Sequence, residues 1–592
     1  MRCSSRQSYG IMLHVKAPLQ CLVVAFVYTL MSRATDRYNC MGDDNKEKAL
    51  ERKEILINQT ERGHHMNAKR EIHSRIFAYA LFVLTPFIAL LILGVVTKTN
   101  PFRIDMRLSY AGDEMTYAQG VKTILSYGSA QGLMTYNEAQ SVIPAFGAWS
   151  PVVFYSYALI ALLIGGWHGY NTIMFVSVTM VVLASAIFLL IVKPDTKRTL
   201  WLSFFMLGMW LLQRYIWSGT SEGLFIALSI VLAGLSIKLF QRTAFDGKTK
   251  LLCWAIMLAS IIFGACRPYG LAFSLFPIAY TFMRSKSGDK AIGQCIAYIV
   301  LAVVGLLIYL ALLHYACAPY FDIGVTGFGL YRNAFESFGL IGVIKLIAHR
   351  IIDYPLGVFS AGVRGYAIAG VVCLEFFILL SMFIRTVQDK EPQTAWLFGS
   401  TLLAVTLIFI ALALLSVAET NYRYLLCICI IMAFVILYSS HSCARRAVIL
   451  LAAFIGSAAI AGLQCNLDTL MLPNATQEQA ALFETAASTL QETLHTDPND
   501  PWGNTIDWDA TVPYPEYNVL FDTPAGIAIG IMWPEYYREA IPNQTLKAKY
   551  LFTVQGSEAY QLALQVDYSV ACVIGDKLIL ENPYYLRNAA AE

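Results

Sequence analysis

The chain has 592 residues, of which 57% are apolar and only 14% charged, with a mean hydropathy of +0.55. A soluble globular domain carries about 25% charged residues, so that class is excluded. The net charge of +3 hides an asymmetry, because residues 466–592 hold 17 Asp/Glu against 5 Lys/Arg. No basic stripe or nucleic-acid module is present, so nucleic-acid binding is not expected.

The first 74 residues form a segment expected to be poorly ordered and cytoplasmic. Pro18–Met31 is apolar but only 14 residues long, short of the roughly 20 that cross a bilayer. No clear small-x-small cleavage site follows it, and residues 32–74 are charged. A true start further downstream is compatible with this.

Residues 75–464 read as a transmembrane domain. Apolar runs at 75–97, 171–192, 199–216, 224–240, 251–265, 270–283, 291–316, 364–384, 394–417, 422–440 and 445–464 predict eleven helical spans. The pair 251–265 and 270–283 is the weakest, being short and broken at Arg267-Pro268. The run 151–165, at 15 residues, fits a helix lying along the interface. A second interfacial helix is predicted from Phe338 to Ile352, where apolar residues recur at helical spacing around Lys345, His349 and Arg350.

Lys and Arg set the expected orientation. With Lys69, Arg70 and Arg75 inside, the inner loops are 193–198, 238–250, 284–290, 385–391 and 441–446, and their 39 residues hold 14 Lys/Arg. The outer loop 98–170 holds four in 73 residues. Asp113, Glu114, Glu138, Glu222, Arg267, Arg332, Arg350 and Arg423 then share the outer side, in or beside the outer loops 98–170 and 317–363.

From residue 465 the hydropathy falls, and a small extracytoplasmic α/β domain is expected over 465–592. Thr476-Gln-Glu-Gln479 reads as a capping box opening a helix. Strands are predicted around Tyr517–Phe521, Lys549–Val554, Val570–Ile574 and Lys577–Leu580, the last two joined by Gly575-Asp576. Cys465 and Cys572 both fall here; an oxidising compartment would allow them to pair, but spacing does not require it. Cys427 and Cys429, inside a span, read as small packing residues.

The chemical candidates begin with Asp113-Glu114, just past the first span. An acid pair at the water boundary of a membrane protein is hydrated, paired or chemical. Sugar transfer to a hydroxyl needs a carboxylate to take the acceptor proton, a role that fits Asp113 with Glu114 beside it. The same pair also suits a helix N-terminus. Glu222 lies in the polar turn Trp217-Ser-Gly-Thr-Ser-Glu-Gly223, where a capping role competes with a functional one. Arg423, in Thr420-Asn-Tyr-Arg-Tyr-Leu-Leu426, and Arg267, in Cys266-Arg-Pro-Tyr269, can each grip a phosphate in fork geometry or simply snorkel among belt tyrosines. Glu138, Arg332 and Tyr422 complete the donor- and acceptor-binding candidates. His168 reads as a turn residue. No His/Cys/Asp grouping has metal-ligand spacing, and no Walker A or GxGxxG loop is present.

The order of these features resembles the GT-C superfamily of integral-membrane glycosyltransferases, which includes protein O-mannosyltransferases and lipid A aminoarabinose transferases. Asp-Glu opens the outer loop with an aromatic residue three positions on, then come Trp149-Ser-Pro151 and an interfacial run, and late in the chain Arg423-Tyr-Leu-Leu426 opens a span. The resemblance covers about residues 75–440. It implies a polyprenyl- or dolichyl-phosphate sugar donor, inverting transfer to a glycan, lipid or protein acceptor on the extracytoplasmic face, and no metal or other cofactor. It matches Asp113 to the catalytic acid, Glu222 to a second acid after the third span, and Arg423 to the residue holding the donor phosphate. The sequence departs in continuing Cys-Ile-Cys-Ile after Leu426 and in having the single Pro151, so subfamily, sugar and acceptor stay open. The expected location is the plasma membrane, or the endoplasmic reticulum membrane in a eukaryote. The rival readings are a flippase for lipid-linked glycans and a non-enzymatic membrane scaffold. Against the first stand spans nearly free of charge, Glu375 apart, and the lack of an internal repeat.

Overall fold

The structure is a computed structural model. It describes residues 71–97, 150–166, 171–286, 291–316, 327–360, 362–415 and 422–464, and in the tail 518–523, 526–531, 538–546, 550–574 and 577–584. Between the first helices it also describes Tyr117, Gly120, Val121, Ile124, Leu125 and Gly128. Asp113, Glu114, Glu138, His168, Cys465 and the capping box at 476–479 lie outside the described residues.

Two helices open the bundle, α1 (Glu71–Val83) and α2 (Thr85–Thr97), bent by 73° at their junction. Next is α3 (Pro151–Leu163), entered through Ser150, whose hydroxyl accepts from the Val152 N–H, with Pro151 in the first turn where no amide is needed. At 13 residues α3 is too short to cross a bilayer. It buries Phe154 and Tyr157 and leaves Leu159, Leu162 and Leu163 outside.

The helices α4 (Asn171–Val192), α7 (Glu222–Phe240) and α8 (Gly247–Cys266) are spans by length and apolarity. So are α10 (Ile292–Ala316), α12 (Val363–Gln388) and α13 (Pro392–Leu415). That makes six among the described residues, and a seventh if the bent α1–α2 pair is one span. The expected eleven are not all reached by this measure. The run 199–216 is divided at Met209 into α5 (Thr196–Gly208) and α6 (Trp210–Trp217). The run 270–283 is not one apolar helix: a 3-10 turn over Pro268–Ser274 precedes a short α9 (Leu275–Lys286). Pro268, with no amide hydrogen, ends the straight course of α8 there.

Loop carboxylates set two helix starts. Asp195 accepts from the Arg198 N–H at 2.7 Å, and Asp246 from the Thr249 N–H at 2.8 Å and its hydroxyl at 2.7 Å. At the same end, Arg75 and Tyr79 of α1 donate to the carbonyls of Lys193 and Pro194 at 3.0 and 2.9 Å. The start of the first helix and the loop 193–198 therefore share one end of the bundle.

Two helices of similar apolarity have opposite surroundings. In α14 (Leu425–Ser439), every residue from Leu425 to Leu437 is buried by neighbouring helices. In α10, Ile292, Ile296, Ile299, Val300, Val303 and Leu307 are each about half exposed. An uninterrupted apolar face this large is tolerated in hydrocarbon and not in water. The helix α11 (Gly327–Ser360) breaks at Gly339 (φ 60°), a left-handed position that suits glycine. Past it, Leu340, Ile341, Ile344 and Ile352 stay exposed while Arg350 and Tyr354 turn inward, the amphipathic pattern expected from the sequence. Helix α15 (Cys443–Gln464) closes the bundle.

Among its described residues the tail carries five antiparallel strands: β1 (Asn518–Thr523), β2 (Gly526–Ile531), β3 (Tyr550–Val554), β4 (Ser569–Ile574) and β5 (Lys577–Glu581). Their order is β2-β1-β3-β5-β4. The predicted β4–β5 hairpin is present, pairing Ile574 with Lys577. Strand β2 was not expected, because its glycines and alanine dilute the β-branched signal. Helix α16 (Glu558–Gln565) packs Ala559 and Ala563 onto Leu551 and Leu580. Cys572 is a buried free thiol.

Candidate active site

The site begins in the turn from α6 to α7. Gly219 (φ 80°) takes a left-handed conformation that turns the chain back. The Trp217 indole donates to the Pro86 carbonyl at 3.1 Å, and the Ser218 hydroxyl meets that of Thr220 at 2.8 Å. Tyr157 of α3 holds the turn from the other side: its hydroxyl donates to the Thr220 carbonyl at 2.6 Å and lies 3.1 Å from the Ser177 hydroxyl of α4. A Cβ on Gly223 would come within 2.5 Å of the Ser177 Cβ, so only glycine lets α7 approach α4 this closely. The turn therefore enters α7 at one place, and Glu222 occupies its first turn, 3% exposed.

Arg423 reaches that carboxylate from the short 3-10 turn Tyr422–Tyr424 ahead of α14. Its Nε lies 3.3 Å from Glu222 Oε1, an ion pair with side chains 16% and 3% exposed. The helix N-terminus adds a second favourable field at Glu222. A pair this enclosed is far less screened than a surface one.

Arg267 comes to the same place from the end of α8. There its extended backbone caps the helix, and its N–H donates to Phe263 at 2.8 Å. Its guanidinium lies over the rings of Tyr424, at 5.0 Å, and Phe225, at 5.8 Å. The Arg423 guanidinium lies 5.4 Å from the same Tyr424 ring, so one tyrosine faces two cations. Tyr269, buried, sits 6.4 Å from Tyr424, ring centre to ring centre.

The segment between α2 and α3 contributes Tyr117, four residues on from Asp113 in the sequence. Its ring is buried, stacked on Tyr157 at 6.3 Å and set 5.4 Å from Phe154. Gly120 passes so close to α3 that a Cβ would lie 2.4 Å from the Phe154 ring.

Of the sequence candidates, Glu222, Arg267 and Arg423 are brought together. Arg332 stands elsewhere in its interactions: it is exposed on α11 and ion-paired with Glu336 one turn on, at 2.9 Å. Only the backbone of Tyr422 is described, and Asp113, Glu114 and Glu138 lie outside the described residues. Sequence reasoning missed Tyr157, Tyr269 and Tyr424. Tyr424 sat inside a quoted motif and Tyr269 two residues from a candidate arginine, but Tyr157 in an apolar run gave no sign of its buried hydroxyl bonds.

No protein-family model matches the sequence, and no curated protein matches it significantly. Three solved structures resemble the chain. They are the oligosaccharyltransferase of Archaeoglobus fulgidus in complex with zinc and sulfate (15% identity, TM-score 0.36) and the oligosaccharyltransferase AglB of the same archaeon with an inhibitory peptide and a dolichol-phosphate (15%, 0.38). The third is apo ArnT of Cupriavidus metallidurans (11%, 0.34). The matches cover 75%, 76% and 84% of this chain, and 57%, 60% and 97% of those chains respectively. The chain thus spans less than two thirds of the length of the two archaeal enzymes. Likeness at these scores is too slight to carry chemistry or substrate from those proteins to this one.

Proposed function

We propose that this chain is an integral-membrane glycosyltransferase that moves a sugar from a polyprenyl-phosphate donor to an acceptor hydroxyl, with inversion, on the extracytoplasmic face. The observation that carries the reading is the convergence of Glu222, Arg423 and Arg267, from three distant stretches, at one end of an apolar bundle. A lipid-linked sugar phosphate presents its anion at that depth, and two guanidiniums are the side chains best shaped to hold it. Glu222 fixes Arg423 and offsets part of its charge, which keeps the site from trapping the phosphate after transfer.

In the proposed step the acceptor oxygen attacks the anomeric carbon from the face opposite the phosphate. The bond from that carbon to the phosphate oxygen breaks, and its electron pair leaves with the polyprenyl phosphate. Asp113 takes the acceptor proton, with Glu114 beside it. Arg423 and Arg267 stabilise the charge growing on the departing phosphate. The donor brings its own leaving group, so the step requires no resident cofactor. Tyr117, four residues on from Asp113 in the sequence and stacked on Tyr157, supports placing the base near the arginines.

The test is transfer by the purified full chain in lipid, with Asp113→Asn and Arg423→Gln beside wild type, together with mass spectrometry of envelope glycans in cells with and without the protein. Asp113→Asn should abolish transfer and keep donor binding; Arg423→Gln should weaken donor binding. Glycans unchanged by removal of the protein, or full activity in Asp113→Asn, would overturn the reading in favour of transport or scaffolding.

A further inference from the structure

The opposite end of the bundle holds a second constellation, unrelated to the one above. Helices α7 and α14 begin beside Glu222 and Arg423, and both end at a cavity of about 580 Å³, reached through Phe240 on one and Tyr438 on the other. At 1.5 Å per residue the length of α7 separates the two sites by roughly 27 Å. The cavity gathers four of the loops expected on the inner face, and its volume lies in the range of small-ligand sites.

Its charged lining is mixed. Arg198, Arg385, Arg445 and His441 share it with Asp389 and Glu391. Arg198 is bound to Asp195 at 3.3 Å, with its guanidinium 4.8 Å from the Tyr438 ring. Among the described residues, neither Arg385 nor Arg445 forms an ion pair with Asp389, with Glu391 or with any other carboxylate. Unpaired charges of both signs around one cavity are complementary to a ligand that is itself a zwitterion.

The backbone that carries these two exposed carboxylates is held in place. At the end of α12 the Asp389 N–H donates to Arg385 at 2.7 Å and the Glu391 N–H to Thr386 at 2.9 Å, around Lys390 in the left-handed region (φ 56°). The opposite wall is fixed by Gln241, which donates to the Tyr438 hydroxyl at 2.7 Å, and by the Arg446 guanidinium on the Ser440 carbonyl. Phe240, Met382 and Phe398 supply an apolar floor.

We infer that this cavity binds the headgroup of an inner-leaflet phospholipid carrying both a phosphodiester and a primary ammonium, with Arg385 and Arg445 on the phosphate and Asp389 and Glu391 on the ammonium. Guanidinium forks suit the phosphodiester, and carboxylates accept from an ammonium that has hydrogens to donate. Such a lipid sits at the depth of these helix ends.

The experiment uses the purified full chain in detergent, offered equimolar phosphatidylethanolamine, phosphatidylglycerol and phosphatidylcholine, with retained lipid read by native mass spectrometry. Wild type should retain one phosphatidylethanolamine, preferred about tenfold, the ratio set by one charge-assisted hydrogen bond of roughly 1.4 kcal/mol. Arg385→Gln/Arg445→Gln should lose retention, while Arg385→Lys/Arg445→Lys keeps part of it and so shows that the bundle is intact. Asp389→Asn/Glu391→Gln should hold lipid but lose the preference over phosphatidylglycerol. Equal retention of all three lipids by wild type would overturn the assignment. So would stabilisation of wild type by millimolar inorganic phosphate without retained lipid, which would make the ligand a soluble phosphate. Transfer is not measured, so the outcome is independent of the proposed enzyme activity.

Discussion

Glu222 and Arg423 meet at 3.3 Å although they open two different helices, α7 and α14. Glu222 stands in the first turn of α7 and Arg423 in the 3-10 turn just ahead of α14, so the pair clamps two buried helix starts together. Its burial makes it costly to halve, because removing one partner leaves the other charge without compensation.

Glu222→Gln should therefore destabilise the protein by about 3 kcal/mol, within the range for broken buried pairs. Thermal unfolding in detergent measures this. The double change Glu222→Gln/Arg423→Met should recover part of the loss, since the guanidinium that faced Glu222 at 3.3 Å is removed with it. Additive losses would show that the pair is not coupled.

Tyr157→Phe removes one hydroxyl and leaves the ring stack on Tyr117 intact. The Thr220 carbonyl then loses its 2.6 Å donor. A cost of about 1–3 kcal/mol is expected from a buried acceptor left unmet. Loosening the turn that carries Glu222 should also lower transfer while leaving the donor KM nearly unchanged. A fall in stability with no change in turnover would confine Tyr157 to a structural role.

Gly223→Ala drives a methyl into Ser177 at 2.5 Å. Overpacking of this kind costs about 1–3 kcal/mol. Pairing it with Ser177→Gly should restore part of the lost melting temperature, because the clash needs both Cβ atoms. Failure of the pair to recover would mean that the helices separate rather than strain.

Arg267→Lys keeps a charge and discards the planar face over Tyr424 and Phe225. If Arg267 serves the donor phosphate, the donor KM should rise roughly tenfold, the loss expected for one charge-assisted hydrogen bond. Steady-state kinetics with varied donor reads this directly. An unchanged donor KM would leave Arg267 as packing for Tyr424.

Cys572 should alkylate slowly in the native tail, since burial raises its thiol above the ordinary value and the thiolate is the reacting form. Mass spectrometry after iodoacetamide at pH 8, native against denatured without reductant, tests both points. Labelling only after denaturation is expected; no labelling in either state would mean that Cys572 is oxidised.

The sequence by itself determined the membrane class, the small tail sheet and which helices are apolar, because hydrocarbon imposes length and composition locally on each span. It also marked Glu222, Arg267 and Arg423, since polar groups at helix ends stand out against so apolar a chain. Only the tertiary structure decided that these three meet, that Arg332 instead pairs with Glu336 on its own helix, and that Tyr157 holds the turn beneath Glu222. Those are contacts between distant segments, and uniform apolarity along the spans says nothing about which faces touch. The same limit explains α14 and α10: their sequences are alike in apolarity, yet one is enclosed by protein and the other by none on its outer face, a difference that exists only once the helices are packed.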